Sequence, residues 1–227
     1  MNPFLYDSSA RMWSLDAILP WTPFSKSVQP ELLAINALSE ESSLVALISS
    51  PNRDPLGRFG LVGIPSKTTV LDADGRNLEQ ILFAGNKLQV IALGYEIGRS
   101  WVHLPPRAAP EGQPPGLLFE FNNALIVDHH KKQYGIFGSP DSHSERLIQA
   151  ISQKKTRLIA PCKNPIDLRA TVSDDEHARR IKQTKAHIAA GEVYQANIAR
   201  RLQLSAPLSG IGAVTALSSI NPVSNGA

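Results

Sequence analysis

The sequence predicts an α+β fold, with several antiparallel strands, two or three helices and long loops. Three features carry this prediction. Short apolar runs typical of strands recur along the chain, two segments place apolar residues at helical spacing, and 17 prolines cluster in the stretches between them. Segregated strands and helices of this kind are typical of the α+β class.

The first elements are expected between residues 30 and 72. Pro30 to Leu38 predicts a short helix, because proline is favoured in the first turn and leucine and isoleucine residues follow it. Ser43 to Ser50 is a short apolar run bounded by polar residues, which predicts a buried strand. A loop and a second strand follow in PNRDPLGRFGLVG, and the stretch from Thr68 to Asp72 leads to a turn.

A proline-rich connection divides the middle of the chain. Leu88 to Leu93 predicts a strand before it. Residues 104–116 contain five prolines and two glycines, which excludes a helix or a central strand there. Beyond this connection, Leu117–Val127 and Tyr134–Phe137 predict two strands joined by DHHKKQ.

Asp128, His129 and His130 raise the question of a metal site in that turn. Adjacent residues of an extended chain point to opposite faces, so they chelate a single ion poorly. Zinc sites use ligands two to four residues apart, with further ligands supplied elsewhere. A hairpin turn is therefore the favoured interpretation.

Two amphipathic helices are predicted in the second half of the chain. The first runs from Ser142 to Lys155, with apolar residues on one side and Ser144 as a candidate cap. Those apolar residues are Leu147, Ile148 and Ile151.

A connector over residues 156–172 leads to the second amphipathic helix. Ser173 and Glu176 have the spacing of a capping box, in which the hydroxyl accepts a backbone amide and the carboxylate reaches back to the first residue. Apolar residues at helical spacing continue to Ile188. Gly191 is placed to end the helix in the left-handed conformation.

After Gly191 the apolar spacing changes from 3.6 residues to 2, which predicts a strand with one apolar and one polar face. The apolar face comprises Tyr194, Ala196, Ile198 and Leu202, and the polar face comprises Gln195, Asn197 and Arg201. The two amides would lie about 6–7 Å apart and orient a polar ligand or a neighbouring loop. The alternative is that they bond to backbone groups, as most buried amides do.

Composition excludes several classes of function. The net charge is only +3 and no basic stripe alternates with aromatic residues, so nucleic-acid binding is not indicated. The single cysteine, Cys162, excludes an internal disulfide and suits a reducing compartment. Neither a secretory signal nor a run of about 18 apolar residues is present. We therefore expect a cytoplasmic protein that binds neither nucleic acid nor membrane.

No catalytic constellation is visible in the sequence. The six histidines are scattered, and none has a serine, cysteine or aspartate at a spacing typical of nucleophilic catalysis. The segments GLVGIPSKT and SGIGAVTALS lack the residue order of a phosphate-binding loop.

The segment GEVYQANIARR, with the basic helix before it, resembles the motif G-[DE]-[IV]-[YF]-Q-x-N-x-x-x-R of the chorismate-utilising enzymes. That family contains the large subunits (component I) of anthranilate synthase and aminodeoxychorismate synthase, and the isochorismate and salicylate synthases. The matching positions are Gly191, Glu192, Val193, Tyr194, Gln195, Asn197 and Arg201.

Shorter matches extend this resemblance toward the N-terminus. Arg58-Phe59 matches the family's R-[FY] pair, and Asp128-His129 matches its F-D-H turn. The resemblance implies antiparallel sheets stacked roughly orthogonally with outer helices. It also implies an N-terminal domain over residues 1–172 and the beginning of a truncated chorismate-binding domain over residues 173–227.

Two further segments resemble the aromatic amino-acid pocket of the feedback-inhibited family members. LISS at 47–50 stands where the family has a strand with glutamate and serine, and SSINPVSNGA resembles its N-P-x-P-[YF]-x-[AF] turn. Ser50 and Pro222 match residue by residue, which makes them the candidate effector contacts. Ser49 replaces the glutamate and Asn225 the aromatic residue, so an ammonium group would lose a partner worth roughly 1.5–3 kcal/mol. The alternative is a structural serine.

In this family the catalytic residues come from the C-terminal half. The resemblance therefore implies that the catalytic residues lie downstream of Ala227 and that this chain itself binds no metal. The full-length family enzyme uses Mg²⁺ and adds ammonia from a glutamine amidotransferase subunit to chorismate. We expect an N-terminal fragment of a synthase that forms 4-amino-4-deoxychorismate or anthranilate, inactive when alone.

A second hypothesis is a stand-alone module that binds an amino acid or pairs with a partner subunit without catalysis. A reading frame that continues past Ala227 with a glycine-rich segment and clustered glutamates would favour the enzyme. A natural stop there would favour the module. The anthranilate and aminodeoxychorismate branches differ at residues beyond this sequence.

Overall fold

A computed structural model divides the chain into two compact units. The first contains Met1–Leu158 together with Leu217–Ala227, and the second contains Ile159–Ala216. The domain boundary expected between residues 172 and 173 stays a prediction. The residues that the structure describes are 18, 21–25, 29–49, 57–72, 78, 87–105, 113–153, 167–204 and 209–221.

The first unit contains a five-stranded antiparallel sheet. Its strands are β1 (Thr22–Pro23), β2 (Val45–Leu47), β3 (Phe59–Gly63), β7 (Asn123–Asp128) and β8 (Gln133–Gly138). They follow the order β1-β8-β7-β3-β2, which places β7 at the centre. Leu61 of β3 lies opposite Ile126, and Tyr134 of β8 lies opposite Val127.

A three-stranded antiparallel sheet completes the strands of this unit that the structure describes. Its members are β4 (Lys67–Val70), β5 (Leu88–Leu93) and β6 (Gly116–Phe121), with β6 in the middle. A 3₁₀ turn at Tyr95–Ile97 and a single helical turn, α2 (Gly98–Trp101), follow β5. Leu118 of β6 packs with Leu71 and Ile97 in a small cluster.

The stretch from Leu117 to Val127, expected to be a single strand, forms two strands in different sheets. β6 ends at Phe121, β7 begins at Asn123, and the chain crosses between the sheets at the exposed Asn122. Because both strands carry apolar side chains into the core, the apolar pattern does not mark the crossing. At Gly138 φ is +79°, and a Cβ there would overlap the Asn122 carbonyl oxygen.

Both sheets contribute to the main hydrophobic core. Phe121 is fully buried at its centre. Partly buried aromatic residues, among them Trp21 and Phe119, pack around it. The buried members of this core are Ile18, Leu61, Leu88, Phe121, Ala124 and Ile126.

Two helices pack against each other in the first unit. They are α1 (Pro30–Ala37), with Pro30 in its first turn, and α3 (Ser142–Gln153). The Arg146 guanidinium joins them, because it donates to the Ala37 carbonyl at 2.7 Å and to the Glu41 carboxylate at 2.6 Å. Both helices were predicted within a few residues of these bounds.

The N-terminal cap of α3 differs from the expectation. Asp141, not Ser144, caps the helix: its Oδ1 accepts from the Ser144 amide at 2.9 Å, and Ser144 Oγ accepts from the Asp141 amide at 2.6 Å. This reciprocal pair is a capping box with serine in the third position. Leu147 and Ile151 are buried as predicted, whereas Ile148 is exposed.

The second unit contains a short ladder and helical segments. β9 (Leu168–Ala170) pairs antiparallel with β10 (Leu202–Leu204), α4 (Asp174–Ala189) lies between them in sequence, and α5 (Gly210–Ile220) begins in this unit. β9 falls in the expected connector over residues 156–172. Its three residues gain a partner only from a distant part of the chain, so no local pattern predicts it.

These elements confirm the predicted α+β class with antiparallel sheets. Each helix in the described part of the chain is too short or too polar to cross a lipid bilayer.

Candidate functional site

The residues of the sequence motif, 191–201, follow α4 and are called the motif segment below. Ser173 caps α4 as predicted, because its side chain accepts from the Glu176 amide at 3.2 Å. The other half of the expected capping box does not form. Instead the Glu176 carboxylate accepts from Arg179 at 2.7 Å and from Arg180 at 2.8 Å. These hydrogen bonds lower the pKa of Glu176 to about 2, and the bond from Arg179 has the largest effect.

Gly191 ends α4 as the sequence predicts. Its φ is +74°, in the left-handed region that favours glycine. The Gly191 amide donates to the Ile188 carbonyl and the Glu192 amide donates to the His187 carbonyl, both at 3.0 Å. This pair of bonds is a Schellman motif. The Glu192 carboxylate also lies 2.5 Å from His187 Nδ1, which adds a side-chain contact across the same turn.

The strand expected after Gly191 is wrong for most of its length. Residues 193–201 are irregular, and in the described part of this segment pairing begins only at Leu202–Leu204, opposite Leu168–Ala170. An alternation of apolar and polar residues specifies a strand where one face of that strand is buried. Here Tyr194, from the predicted apolar face, is 95% exposed.

Gln195, Asn197 and Arg201 are all exposed. Because the strand does not form around them, the structure does not bring the two amides together on one strand face at the expected spacing. Their exposure leaves them available to a ligand or a neighbouring polypeptide.

The end of the motif segment is held beside the start of α4. The Arg201 carbonyl accepts from the Thr171 amide at 3.0 Å and from Thr171 Oγ1 at 3.2 Å. The Arg200 guanidinium forms an ion pair with the Asp174 carboxylate. The start of α4 and the end of the motif segment are therefore held together by these contacts of Thr171 and Asp174.

The candidate effector contacts, Ser50 and Pro222, lie outside the described residues. Their neighbour Ser49 is described and buried, and its Oγ donates to the Phe59 carbonyl at 2.6 Å. Ser49 therefore has a structural partner on the adjacent strand β3.

Sequence reasoning missed a buried charge cluster in the first unit, formed by Glu31, Arg58, Asp128 and His129. Glu31 and Asp128 are each 1% exposed. Arg58 donates to Asp128 Oδ2 through Nη2 at 2.8 Å and through Nε at 3.2 Å. A carboxylate removed from water in this way requires such charge-assisted bonds.

Burial acts to raise the pKa of Asp128, but its hydrogen bonds outweigh that effect. The Arg58 guanidinium and the backbone amides of Lys131 and His130 hold this pKa below its ordinary value. Asp128 is therefore a stable anion that fixes the turn between β7 and β8.

The second pair in the cluster joins α1 to the same turn. His129 Nε2 lies 2.5 Å from Glu31 Oε1, and the His129 amide donates to the Arg58 carbonyl at 2.9 Å. The Phe24 ring contacts His129 edge-on, with centroids 6.1 Å apart. A Cβ at Gly60 would occupy the position of the Glu31 carboxylate, so the glycine makes room for this pair.

The turn assigned to Asp128 and His129 was predicted, but their partners were not. Arg58 is 70 residues from Asp128 in sequence, and Glu31 is 98 residues from His129. The R-[FY] and F-D-H matches were the available signal. The described residues hold no group of three His, Cys, Asp or Glu side chains that could bind a metal ion. The cluster thus connects α1, β3 and the β7–β8 turn.

Comparison with known proteins finds one family model that matches most of the chain. Residues 64–227 match the model described as chorismate binding enzyme. This range contains β4 to β10 and the whole motif segment.

Curated relatives include components of two synthases. The chain is 33% identical over 113 residues to aminodeoxychorismate synthase component 1 of Klebsiella aerogenes, which covers 48% of this chain and 24% of the relative. It is 25% identical over 236 residues to anthranilate synthase component 1 of Salmonella typhimurium, which covers 92% of this chain and 45% of the relative.

A solved structure has the same fold. Anthranilate synthase component I from Streptococcus pneumoniae TIGR4 superposes with a TM-score of 0.54 at 12% identity, over 73% of this chain and 46% of that chain. The chain thus spans less than half the length of each of these proteins.

Proposed function

Because this chain belongs to the family of chorismate binding enzymes, we propose that it is the N-terminal portion of a synthase that aminates chorismate. The product would be 4-amino-4-deoxychorismate or anthranilate, precursors of folate and of tryptophan, made in the cytoplasm. The observation that carries the proposal is the family match over residues 64–227. The motif segment adds support, because backbone hydrogen bonds hold its first residue at the end of α4 and its last residue near the start of α4.

Relatives from both amination branches support this choice of reaction. One is an aminodeoxychorismate synthase component and the other an anthranilate synthase component. Both names contain the word component, which supports a companion subunit for this chain as well. We propose that a glutamine amidotransferase fills that role and supplies the ammonia.

The motif segment is the proposed contribution of this chain to the active site. The exposed amides of Gln195 and Asn197 can donate to carboxylate or hydroxyl oxygens and accept from hydroxyl groups. Gly191 sets the direction of the segment, and Arg201 adds a positive charge near its base. We propose that these four residues orient the ligand or the loop that covers it.

The Mg²⁺ of the family reaction has no fitting site in the described residues. They offer no group of three side chains that could hold the ion, and Asp128 and Glu31 are already engaged with Arg58 and His129. We propose that the ligands for this ion lie outside the described residues. By itself the chain is proposed to be inactive.

A chimera tests the proposed function. The 227-residue chain is joined to the part of Klebsiella aerogenes aminodeoxychorismate synthase component 1 that follows the matched segment, and chorismate consumption is measured with Mg²⁺ and ammonium. We expect turnover by the chimera and none by the chain alone. Gln195→Ala with Asn197→Ala should lower the chimera's turnover by about ten-fold or more, on the scale of lost positioning.

Two results would contradict the proposal. A folded chimera without turnover would refute the proposed synthase function. Turnover by the 227-residue chain alone would refute its proposed inactivity. Gln183→Ala, which removes an exposed amide from α4, is the matched control and should leave turnover of the chimera unchanged.

Amino-acid binding at Ser50 and Pro222 is the alternative function. The buried hydrogen bond of Ser49 argues against it, since a serine held by the Phe59 carbonyl cannot replace the glutamate that would pair with an ammonium group. Calorimetric titration of the chain with tryptophan and phenylalanine tests this. Saturable binding in the micromolar range would support the effector module.

A further inference from the structure

The middle of the motif segment is held only through its two ends. Residues 193–199 form neither helix nor strand and are all exposed. The segment begins at the end of α4 and finishes beside Thr171, just before the start of the same helix. A segment with so few buried contacts fluctuates unless its ends are fixed. The direction in which it presents Gln195 and Asn197 therefore depends on the contacts at those ends.

An ion pair accompanies the backbone hydrogen bonds at each end of the segment. At the far end, the Arg200 guanidinium pairs with the Asp174 carboxylate. At the near end, the Glu192 amide donates to the His187 carbonyl at 3.0 Å, and Glu192 Oε2 lies 2.5 Å from His187 Nδ1. The two pairs thus join the segment to opposite ends of α4.

The two ion pairs respond differently to pH. An arginine side chain keeps its proton throughout the physiological range. Histidine is the side chain whose charge ordinarily changes between about pH 5 and 8. A neutral imidazole has one N–H shared between two nitrogens, so Nδ1 of His187 would donate to Glu192 in only one of its two tautomers. The near end of the segment is therefore the end whose ion pair depends on pH.

The surroundings of His187 leave Glu192 as its charged partner. His187 is the basic residue in the last turn of α4, where the helix dipole favours a positive charge. One turn earlier on the same side, Gln183 and Thr184 are neutral, and Lys185 lies about 200° around the helix. No residue of α4 is buried under another element, and among the described residues Glu192 alone forms an ion pair with His187. The two side chains are 59% and 61% exposed, so solvent protons reach both.

We infer that His187 is a positioning residue: its protonated imidazole holds Glu192 and thereby fixes the direction in which the motif segment presents Gln195 and Asn197. Deprotonation loosens this contact, so the segment becomes more mobile as pH rises. The inference rests on the proposed function, because the ligand that these amides would orient is the one proposed above. Since both partners are exposed, we expect an effect of at most about five-fold on the ordered population.

Nuclear magnetic resonance of the 227-residue chain tests the contact directly. Backbone order parameters of residues 193–197 are measured at about pH 6 and about pH 8.5, on either side of the usual histidine range. Rigid backbone has an order parameter of about 0.85 and flexible backbone less than about 0.6, and we expect a fall of at least about 0.1 at the higher pH. His187→Gln should have the lower value at both pH values. His187→Arg, which keeps a positive charge, should have the higher value at both.

His177→Gln is the matched control, because it removes the other histidine of α4. It should leave the pH-dependent change as large as in the wild type. Order parameters that do not change with pH in the wild type, or that change equally in His187→Gln, would overturn the inference. Loss of the change in His177→Gln would overturn it as well.

The chimera relates the contact to ligand binding. If the segment must be ordered to bind, a smaller ordered population raises KM and leaves kcat nearly unchanged. Over the same pH interval, KM for chorismate should therefore rise about three-fold more in the wild-type chimera than in the His187→Arg chimera. A difference between the two that appears in kcat alone would overturn the assignment of His187 to ligand positioning.

Together these measurements separate the inference from the proposed function. If the order parameters follow the charge of His187 but the chimera does not consume chorismate, the synthase function fails and the His187–Glu192 contact stands. If the chimera consumes chorismate but its wild-type and His187→Arg forms have the same pH dependence, the inference fails and the synthase function stands.

Discussion

At the residue scale, Asp128 shows how a single buried charge holds the turn between β7 and β8. Its carboxylate is 1% exposed and is bonded by Arg58, which is itself 37% exposed on its side chain. Removing the charge leaves Arg58 without its partner, but that guanidinium can regain part of its hydration. The loss of stability should therefore be smaller than for a fully buried pair.

We predict that Asp128→Asn lowers the free energy of unfolding by about 2–3 kcal/mol at neutral pH. The pKa of Asp128 is lower in the folded chain than in the unfolded one. Its stabilisation is therefore fully present above the unfolded pKa and is lost as pH falls toward the folded value. Urea unfolding between pH 7 and pH 3 should show the difference between wild type and variant shrinking with acidification.

The control for this prediction is Asp72→Asn, because Asp72 is exposed. It should change the free energy of unfolding by less than about 0.5 kcal/mol. A wild-type to Asp128→Asn difference that stays constant across this pH range would count against the assigned role of Asp128.

Gly60 and Glu31 should behave as a coupled pair. We predict that Gly60→Ala costs about 2 kcal/mol, because the added methyl group displaces the Glu31 carboxylate from His129. In a Glu31→Ala background the same substitution should cost less than about 0.5 kcal/mol, since the obstructing carboxylate is gone. A double-mutant cycle measured by urea unfolding gives the coupling.

Gly98→Ala is the matched control, because a Cβ at Gly98 would meet nothing within 4 Å. Additive costs for Gly60→Ala and Glu31→Ala would show that the two residues do not compete for the same space.

At the element scale, the Schellman end of α4 is held by a backbone conformation and not by crowding. Gly191 has φ +74°, and a Cβ there would meet nothing within 4 Å. We predict that Gly191→Ala costs about 1–2 kcal/mol of local stability, from the left-handed conformation alone. Gly191→Asn should cost clearly less, because asparagine tolerates this conformation. Hydrogen exchange at the last turn of α4 measures both.

Comparing these two substitutions can also contradict the prediction. If Gly191→Ala and Gly191→Asn destabilise the turn equally, the backbone freedom of glycine is not the cause of the lost stability.

Elements with a strong local signal were predicted, whereas β9 and α5, which lack such a signal, were missed. The proline of α1, the cap Ser173 and the stop Gly191 each act within one turn of their helix, so the sequence reveals them. The strand expected after Gly191 had the right alternation, but its apolar side chains, from Tyr194 to Leu202, are exposed to solvent. α5 was missed because GIGAVTALSSI combines glycine, serine and β-branched residues, which are poor helix formers.

The candidate site divides in the same way. The motif segment was located by its residues and by the helix before it, whereas the buried charge cluster was not. Glu31 and His129 are brought together by the packing of α1 on the sheet, which no spacing in the sequence records. The place of Asp128 in a turn was evident, but its pairing with Arg58 was not.

At the scale of the whole molecule, the two units differ in how much they bury. β7 is buried from Ala124 to Asp128, whereas α4 has no buried residue. We predict that amides of β7 exchange with solvent at least about 100-fold more slowly than amides in the middle of α4. Native-state hydrogen exchange with mass spectrometry measures this. Equal protection in the two elements would mean that α4 is covered in the isolated chain.

The family match also belongs to this scale. The chain belongs to the chorismate binding enzymes, yet it spans less than half of the relatives described above.

The contacts at the start of α4 have a consequence for the position of the motif segment. Arg200 meets Asp174, and the Arg201 carbonyl meets Thr171, so the chain leaves and returns at one point. The 16 residues of the helix carry Gly191 about 24 Å from that point. Inserting one further helical turn would move Gly191 about 5.4 Å farther from that point and leave the contacts of Arg200 and Thr171 unchanged. Helix length would then set how far Gly191 and the residues after it reach from the point where Arg200 and Thr171 hold the chain.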